Sequence, residues 1–163
     1  LNVSPNDKGR LEKNVMDRLH EIGQQIKVTE EKITSLPTPQ PVNKEASVTA
    51  SSERKGYEAR HVIDANLHTN WQFSENDNDR WIELDFGKPV TFNKVICGEF
   101  YSQIKQFKIE ALIDNKWIKI VDGDNMGVNF HATFNDITSQ KYRLTVIQCE
   151  GIPLLSEITF VRY

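Results

Sequence analysis

Between Trp81 and Val161 the chain is a string of short segments rich in β-branched and aromatic residues, with no helical stretch between any two of them. They are Trp81-Ile82-Glu83-Leu84-Asp85-Phe86, Lys94-Val95-Ile96-Cys97, Phe107-Lys108-Ile109-Glu110-Ala111-Leu112, Trp117-Ile118-Lys119-Ile120-Val121, Tyr142-Arg143-Leu144-Thr145-Val146 and Glu157-Ile158-Thr159-Phe160-Val161. Several alternate apolar with polar side chains, the period of a strand that buries one face. Turn signals separate them at short intervals: Phe86-Gly87-Lys88-Pro89, Asp114-Asn115-Lys116 and Asp122-Gly123-Asp124. A parallel pair needs a crossover of about a dozen residues or more, usually a helix, and none is available. The pattern predicts an antiparallel two-sheet sandwich, not a βαβ sheet.

Upstream the period changes. Leu11, Val15, Leu19, Ile22 and Ile26 recur with Glu12, Lys13, Asp17, Arg18, Glu21 and Gln25 between them, which predicts an amphipathic helix from Leu11 to about Ile33. Pro5-Asn6-Asp7-Lys8-Gly9 reads as its turn-rich entry. Pro37-Thr38-Pro39-Gln40-Pro41 then sets prolines at alternate positions, removing amide donors and favouring extended chain. The expected organisation is a mostly helical segment 1–36, a proline-rich linker 37–43 and a sandwich 44–163.

A net charge of -3 with acids and lysines interspersed offers no basic stripe to track a phosphate backbone, so nucleic acid is not an expected partner. No apolar stretch approaches the roughly 20 residues that span a bilayer, so no membrane association is expected. The opening Leu1-Asn2-Val3, without an initiator methionine, is what a piece of a longer protein would show. Cys97 and Cys149 sit in strand-like runs and not in a CxxC or Cys/His spacing, which points to packed thiols or a disulfide and away from zinc.

Three motifs, in order, carry a family resemblance. Ala50-Ser51-Ser52-Glu53, continued by the run from Ala59 to Trp71, resembles the opening of discoidin (factor V/VIII type C) modules. Trp81-Ile82-Glu83-Leu84-Asp85-Phe86-Gly87 resembles their central strand, and Leu154-Leu155-Ser156-Glu157-Ile158 their closing one. The resemblance implies an all-β, discoidin-like jelly-roll β-sandwich of the galactose-binding-domain-like type, preceded here by one N-terminal amphipathic α-helix. It is similar to family-32 carbohydrate-binding modules. Trp71 and Trp81 fall at core positions of the family, and Trp117 is expected to pack likewise. Ala65 stands where the family prefers glycine.

A second resemblance is to the end of family-29 α-L-fucosidases. It rests on Leu1-Asn2-Val3-Ser4-Pro5-Asn6-Asp7-Lys8-Gly9, on Arg18-Leu19-His20-Glu21-Ile22-Gly23 and on the run from Glu83 to Val95. It implies a tail fragment: the end of a catalytic barrel, a linker, and the sandwich. Retaining glycosidases need a nucleophilic and an acid/base carboxyl group, which the resemblance places upstream of this chain. The fragment is therefore expected to be non-catalytic, and its parent secreted or periplasmic. The implied role is a carbohydrate-binding accessory module for fucosylated or galactose-containing glycans; the alternative is a structural domain buttressing the barrel. In the parent the helix stripe would cover the barrel; in this chain it is expected to cover the sandwich, pair two copies as a dimer, or stay partly exposed.

The resemblance also implies one structural calcium ion at Asp64, Asn66, Thr69 and Glu157, a set rich in the oxygens calcium takes. The ordinary alternative is an Asx-rich turn capping its own backbone. Sugars are held by exposed aromatic faces beside hydrogen-bonding groups, which makes Arg54, Tyr57, Phe73, Glu99, Tyr101, Gln103 and His131 the candidate ligand residues. Galactose-binding members commonly carry arginine and asparagine near 99–104, whereas this chain has Glu99, Tyr101 and Gln103. Asp77, Asn78, Asp79 and Arg80 read as a solvated turn.

Overall fold

A computed structural model describes residues 13–34, 40–41 and 45–163. The entry at 1–9, Leu11 and the prolines at 37 and 39 lie outside these residues. The chain separates into two compact units, Leu1–Thr38 and Pro39–Tyr163.

In the first unit, helix α1 spans Lys13–Thr34. Its expected stripe is only partly covered: Val15 and Ile22 are half-buried, while Leu19 and Ile26 are exposed. Lys13 pairs with Asp17 and Arg18 with Glu21 one turn apart, contacts worth a few tenths of a kcal/mol (~0.2–0.5) each.

The second unit contains β1 (Gln40–Pro41), β2 (Ser47–Ala50), a 3-10 helix (Ala59–Ile63), β3 (Trp81–Glu99), β4 (Ile104–Ile113), β5 (Lys116–Asp124), β6 (Phe130–Cys149) and β7 (Leu155–Arg162). Every pairing is antiparallel, in the order β1-β7-β3-β6-β4-β5 with β2 on β3. The two long strands serve both layers. The first part of β3, from Trp81, pairs with β2 and the end of β6; its last part, Lys94–Glu99, pairs with β7, and Lys94–Cys97 with the start of β6. Register shifts at Asp85/Val90 and Phe92/Lys94 mark the bend between layers, where extra residues increase local twist. Part of the expected linker is used as structure, since Gln40 and Pro41 pair with Arg162 and Val161. Proline is tolerated there because an edge strand leaves its missing N–H unneeded.

At the bend, Phe86, Phe92, Tyr142 and Phe160 form one cluster with ring centroids 4.7–6.3 Å apart. The Tyr142 hydroxyl donates to the Val90 and Ile137 carbonyls, and burial pushes its pKa up. Trp71 is fully buried and donates through Nε1 to the Ser52 carbonyl at 2.9 Å.

Trp81 and Trp117 depart from expectation. Both are half-buried on the outside of the sheet, flanking the Arg143 guanidinium at 4.6 and 4.1 Å. Arg143 binds the buried Glu83 at 2.8 Å, so the tryptophans cover an ion pair and do not fill the space between sheets. Cys97 and Cys149 are both free thiols; Cys97 is buried, and burial raises its pKa.

Candidate functional site

Because β3 and β6 run down one layer and return in the other, four connections meet at the end of the sandwich opposite the aromatic cluster: 51–80, 99–104, 124–130 and 149–155. Main-chain hydrogen bonds join them: Trp71 with Leu155, Phe100 to Leu154, Glu150 to Gln103, and Glu99 to Gly127.

Two carboxylates organise these loops. Glu99, 1 % exposed, accepts the amides of Gln103 at 2.9 Å, Ile104 at 2.9 Å and Gly127 at 3.3 Å. It thus locks the 99–104 loop to the 124–130 loop. Asp77 accepts the hydroxyls of Ser51 and Ser52 and the amides of Asp79 and Arg80. Burial alone would raise its pKa, but these donors hold it below the usual carboxylate range. The Asp77–Arg80 segment is therefore a hydrogen-bonded hub and not merely a solvated turn; the paired serines 25 and 26 residues earlier were its only sequence signal.

The expected ligand residues divide. Glu99 is a buried loop staple with no face for a ligand, since the chain's own amides occupy its oxygens. Phe73 is also excluded: it is 2 % exposed, edge-on to Trp71 and beneath the Arg80 guanidinium at 5.4 Å. Tyr101 is 72 % exposed on the locked loop. Gln103 is half-buried and its Oε1 has no hydrogen-bond partner. Arg54 and Tyr57 bracket a tight turn tied to Gln72, with Arg54 Nη1 3.4 Å from Gln72 Oε1; both are exposed. His131 is exposed and pairs with Ile96, on a strand and not in the loop cluster.

The structure brings the four cation candidates to one turn. The Thr69 hydroxyl lies 2.8 and 3.0 Å from the two Asp64 oxygens, and the Asn66 amide donates to Asp64 at 2.9 Å. Glu157 approaches from β7. Its Oε1 is buried without a partner, and burial, reinforced by the Asp64 charge, pushes its pKa up to about 7. The Asp64 and Asn66 side chains thus cap their own turn by accepting the Asn66 and His68 amides, and Glu157 Oε1 stands beside it as an unpartnered acceptor. A calcium ion there would be held by Asp64, Thr69 and Glu157 with Asn66 contributing, and would supply the missing positive charge. Ala65, at the expected glycine position, adopts a left-handed backbone with φ of 60°.

The F5/8 type C domain family matches residues 47–158. The rice (Oryza sativa subsp. japonica) protein named "Putative alpha-L-fucosidase 1" is 26 % identical over 164 residues, covering 96 % of this chain and 30 % of that protein. The chain thus spans about a third of the length of the curated relative it matches. A family 29 fucosidase of Ruminococcus gnavus, solved in complex with fucose, superposes with a TM-score of 0.66 at 28 % identity, over 99 % of this chain and 33 % of that one. The family 32 carbohydrate-binding module of C. perfringens NanJ, solved in complex with galactose, gives 0.68 at 19 % identity, over 77 % of this chain and all of its own (100 %). With the family matched across both layers and the connecting loops, the chain belongs to the F5/8 type C, or discoidin, domain family.

Proposed function

We propose that this sandwich is a carbohydrate-binding accessory module of an α-L-fucosidase, secreted or periplasmic, that holds glycans bearing fucose or galactose at its loop end. One observation carries the reading. Tyr101 is 72 % exposed on a loop whose backbone is locked from beneath by the buried Glu99 carboxylate. An exposed aromatic on a rigid support loses little entropy on binding and offers a face to the C–H side of a sugar ring. Gln103 on the same loop carries an acceptor, Oε1, that is buried without a partner, at a cost of about 1–3 kcal/mol; its amide would have to turn outward to meet a ligand hydroxyl. Arg54 and Tyr57 supply further polar and aromatic surface on a neighbouring turn. A calcium ion on the Asp64–Thr69 turn and Glu157 serves as a staple.

The test is a glycan array probed with the full chain and with Tyr101→Ala, in calcium and in EDTA. Binding lost in Tyr101→Ala at unchanged melting temperature supports the reading. No binding to any fucosylated or galactosylated glycan replaces it with a structural domain that braces the catalytic barrel.

A further inference from the structure

A second recess lies beside the loop end, on the outer side of β3 and β7. It is a cleft of about 470 Å³, within the range of small-molecule sites, between the Asp64–Thr69 turn and the segment Val128–Asn129. Leu67 forms one rim and Val128 the other, 68 % and 74 % exposed, with Ile96 between them. Glu157, Thr159 and Asn129 supply its polar atoms.

The far wall is fixed in place. A Cβ on Gly98 would stand 2.4 Å from the Val128 carbonyl oxygen, so the wall crosses β3 where only glycine leaves room. The Glu99 amide donates to the Gly127 carbonyl at 2.9 Å, and the Glu99 carboxylate takes the Gly127 amide, holding that segment from below.

The lining selects a ligand class. Among the described residues no aromatic ring lines the cleft, so they offer no stacking platform for a flat sugar face. Among the described residues no lysine, arginine or histidine lines it either, so it offers no basic side chain to a carboxylated or sulfated sugar. Three aliphatic side chains from three separate segments fit a methyl group, and the acceptors beside them fit hydroxyls. We propose that this cleft is a second sugar subsite that takes a 6-deoxyhexose, its methyl group seated among Leu67, Ile96 and Val128. This rests on the glycan-binding reading above and adds a site to it, separate from Tyr101.

The experiment titrates the ¹⁵N-labelled full chain in calcium-containing buffer with methyl α-L-fucoside. Two controls are methyl α-L-galactoside, which differs by a hydroxyl on the same methyl carbon, and the methyl glycoside of N-acetylglucosamine. A hydroxyl forced among aliphatic side chains should weaken binding about 10-fold or more. The proposal expects saturable fucoside shifts at Leu67, Val128 and Asn129. Leu67→Ser/Val128→Ser, a change confined to exposed side chains, should abolish those shifts while the amide spectrum stays folded and any Tyr101 response persists. Equal affinity for the L-galactoside, preference for the N-acetyl sugar, or shifts confined to Tyr101 and Gln103 would overturn the cleft assignment and leave the glycan-binding reading standing. Silence toward every glycan of the array would remove both.

Discussion

The two ends of the sandwich are built from different interactions. At the bend end, Phe86, Phe92, Tyr142 and Phe160 pack ring against ring, and the one polar atom among them, the Tyr142 hydroxyl, makes two hydrogen bonds. At the loop end, shape is held by buried carboxylates that accept backbone amides, Glu99 above all. That end also carries the left-handed residues Ala65, Arg80, Ser102 and Asn125 and the orphaned oxygens of Gln103 and Glu157. Apolar packing is non-directional and self-sufficient, whereas a polar scaffold fixes exact loop shapes and leaves groups for a ligand or an ion. The difference separates the end that supplies stability from the end where the proposed recognition would lie.

The contrast can be broken by substitution at each end. Phe92→Ala, which empties the aromatic cluster, should cost about 3–5 kcal/mol. Chemical denaturation would measure it, and any folded fraction should retain its glycan affinity. Glu99→Gln should cost less, about 2–3 kcal/mol, because an amide cannot accept all three backbone donors. Its distinguishing result is faster hydrogen exchange at Gln103, Ile104 and Gly127, together with weakened binding.

Acidity offers a smaller and sharper probe. Glu157 has its pKa raised from 4.5 to about 7. The folded state therefore holds an extra proton between those values, and stability from this group is present below 4.5 and lost as pH rises through 7. In EDTA the stability should fall from pH 5 to pH 8 by on the order of 1 kcal/mol after solvent screening, read as a drop in melting temperature. Glu157→Gln should flatten the slope, and calcium should reverse it by favouring the ionised carboxylate. Asp77 acts oppositely in a separate window: its pKa is held below 3.8, so its contribution is present above that value and lost only in stronger acid. The smallest effect is expected from Ala65→Gly. Relieving a left-handed alanine should stabilise the module by about 0.5–1 kcal/mol, read as a rise in melting temperature.

The bend end was largely legible in the sequence, and the loop end was not. Alternation along Trp81–Phe86 and Tyr142–Val146 places Ile82, Leu84, Tyr142 and Leu144 inside, because strand side chains reverse face at each residue. The same alternation also puts Trp81 outside with Glu83 and Asp85, yet residue type and family position suggested core; the nearby Arg143, which makes the outer face hospitable to indole rings, comes from a strand more than 60 residues away. In the loops, residue type alone misled. Glu99 and Phe73 have the chemistry of ligand contacts, but their burial is decided by where distant segments cross. The oxygen-rich turn at Asp64–Thr69 was visible because its members are close in sequence, while the cleft beside it needs Leu67, Ile96 and Val128 to converge from three elements.

The central claim is that recognition lives at the loop end. Its most direct test is an NMR titration of the full chain with galactose- and fucose-terminated oligosaccharides in calcium, comparing the Tyr101–Gln103 amides with Asn93 and Tyr163 at the opposite end. The account predicts saturable shifts at Tyr101 and Gln103 and none at Asn93 or Tyr163. Shifts at the bend end, or no saturable response at either, would contradict it.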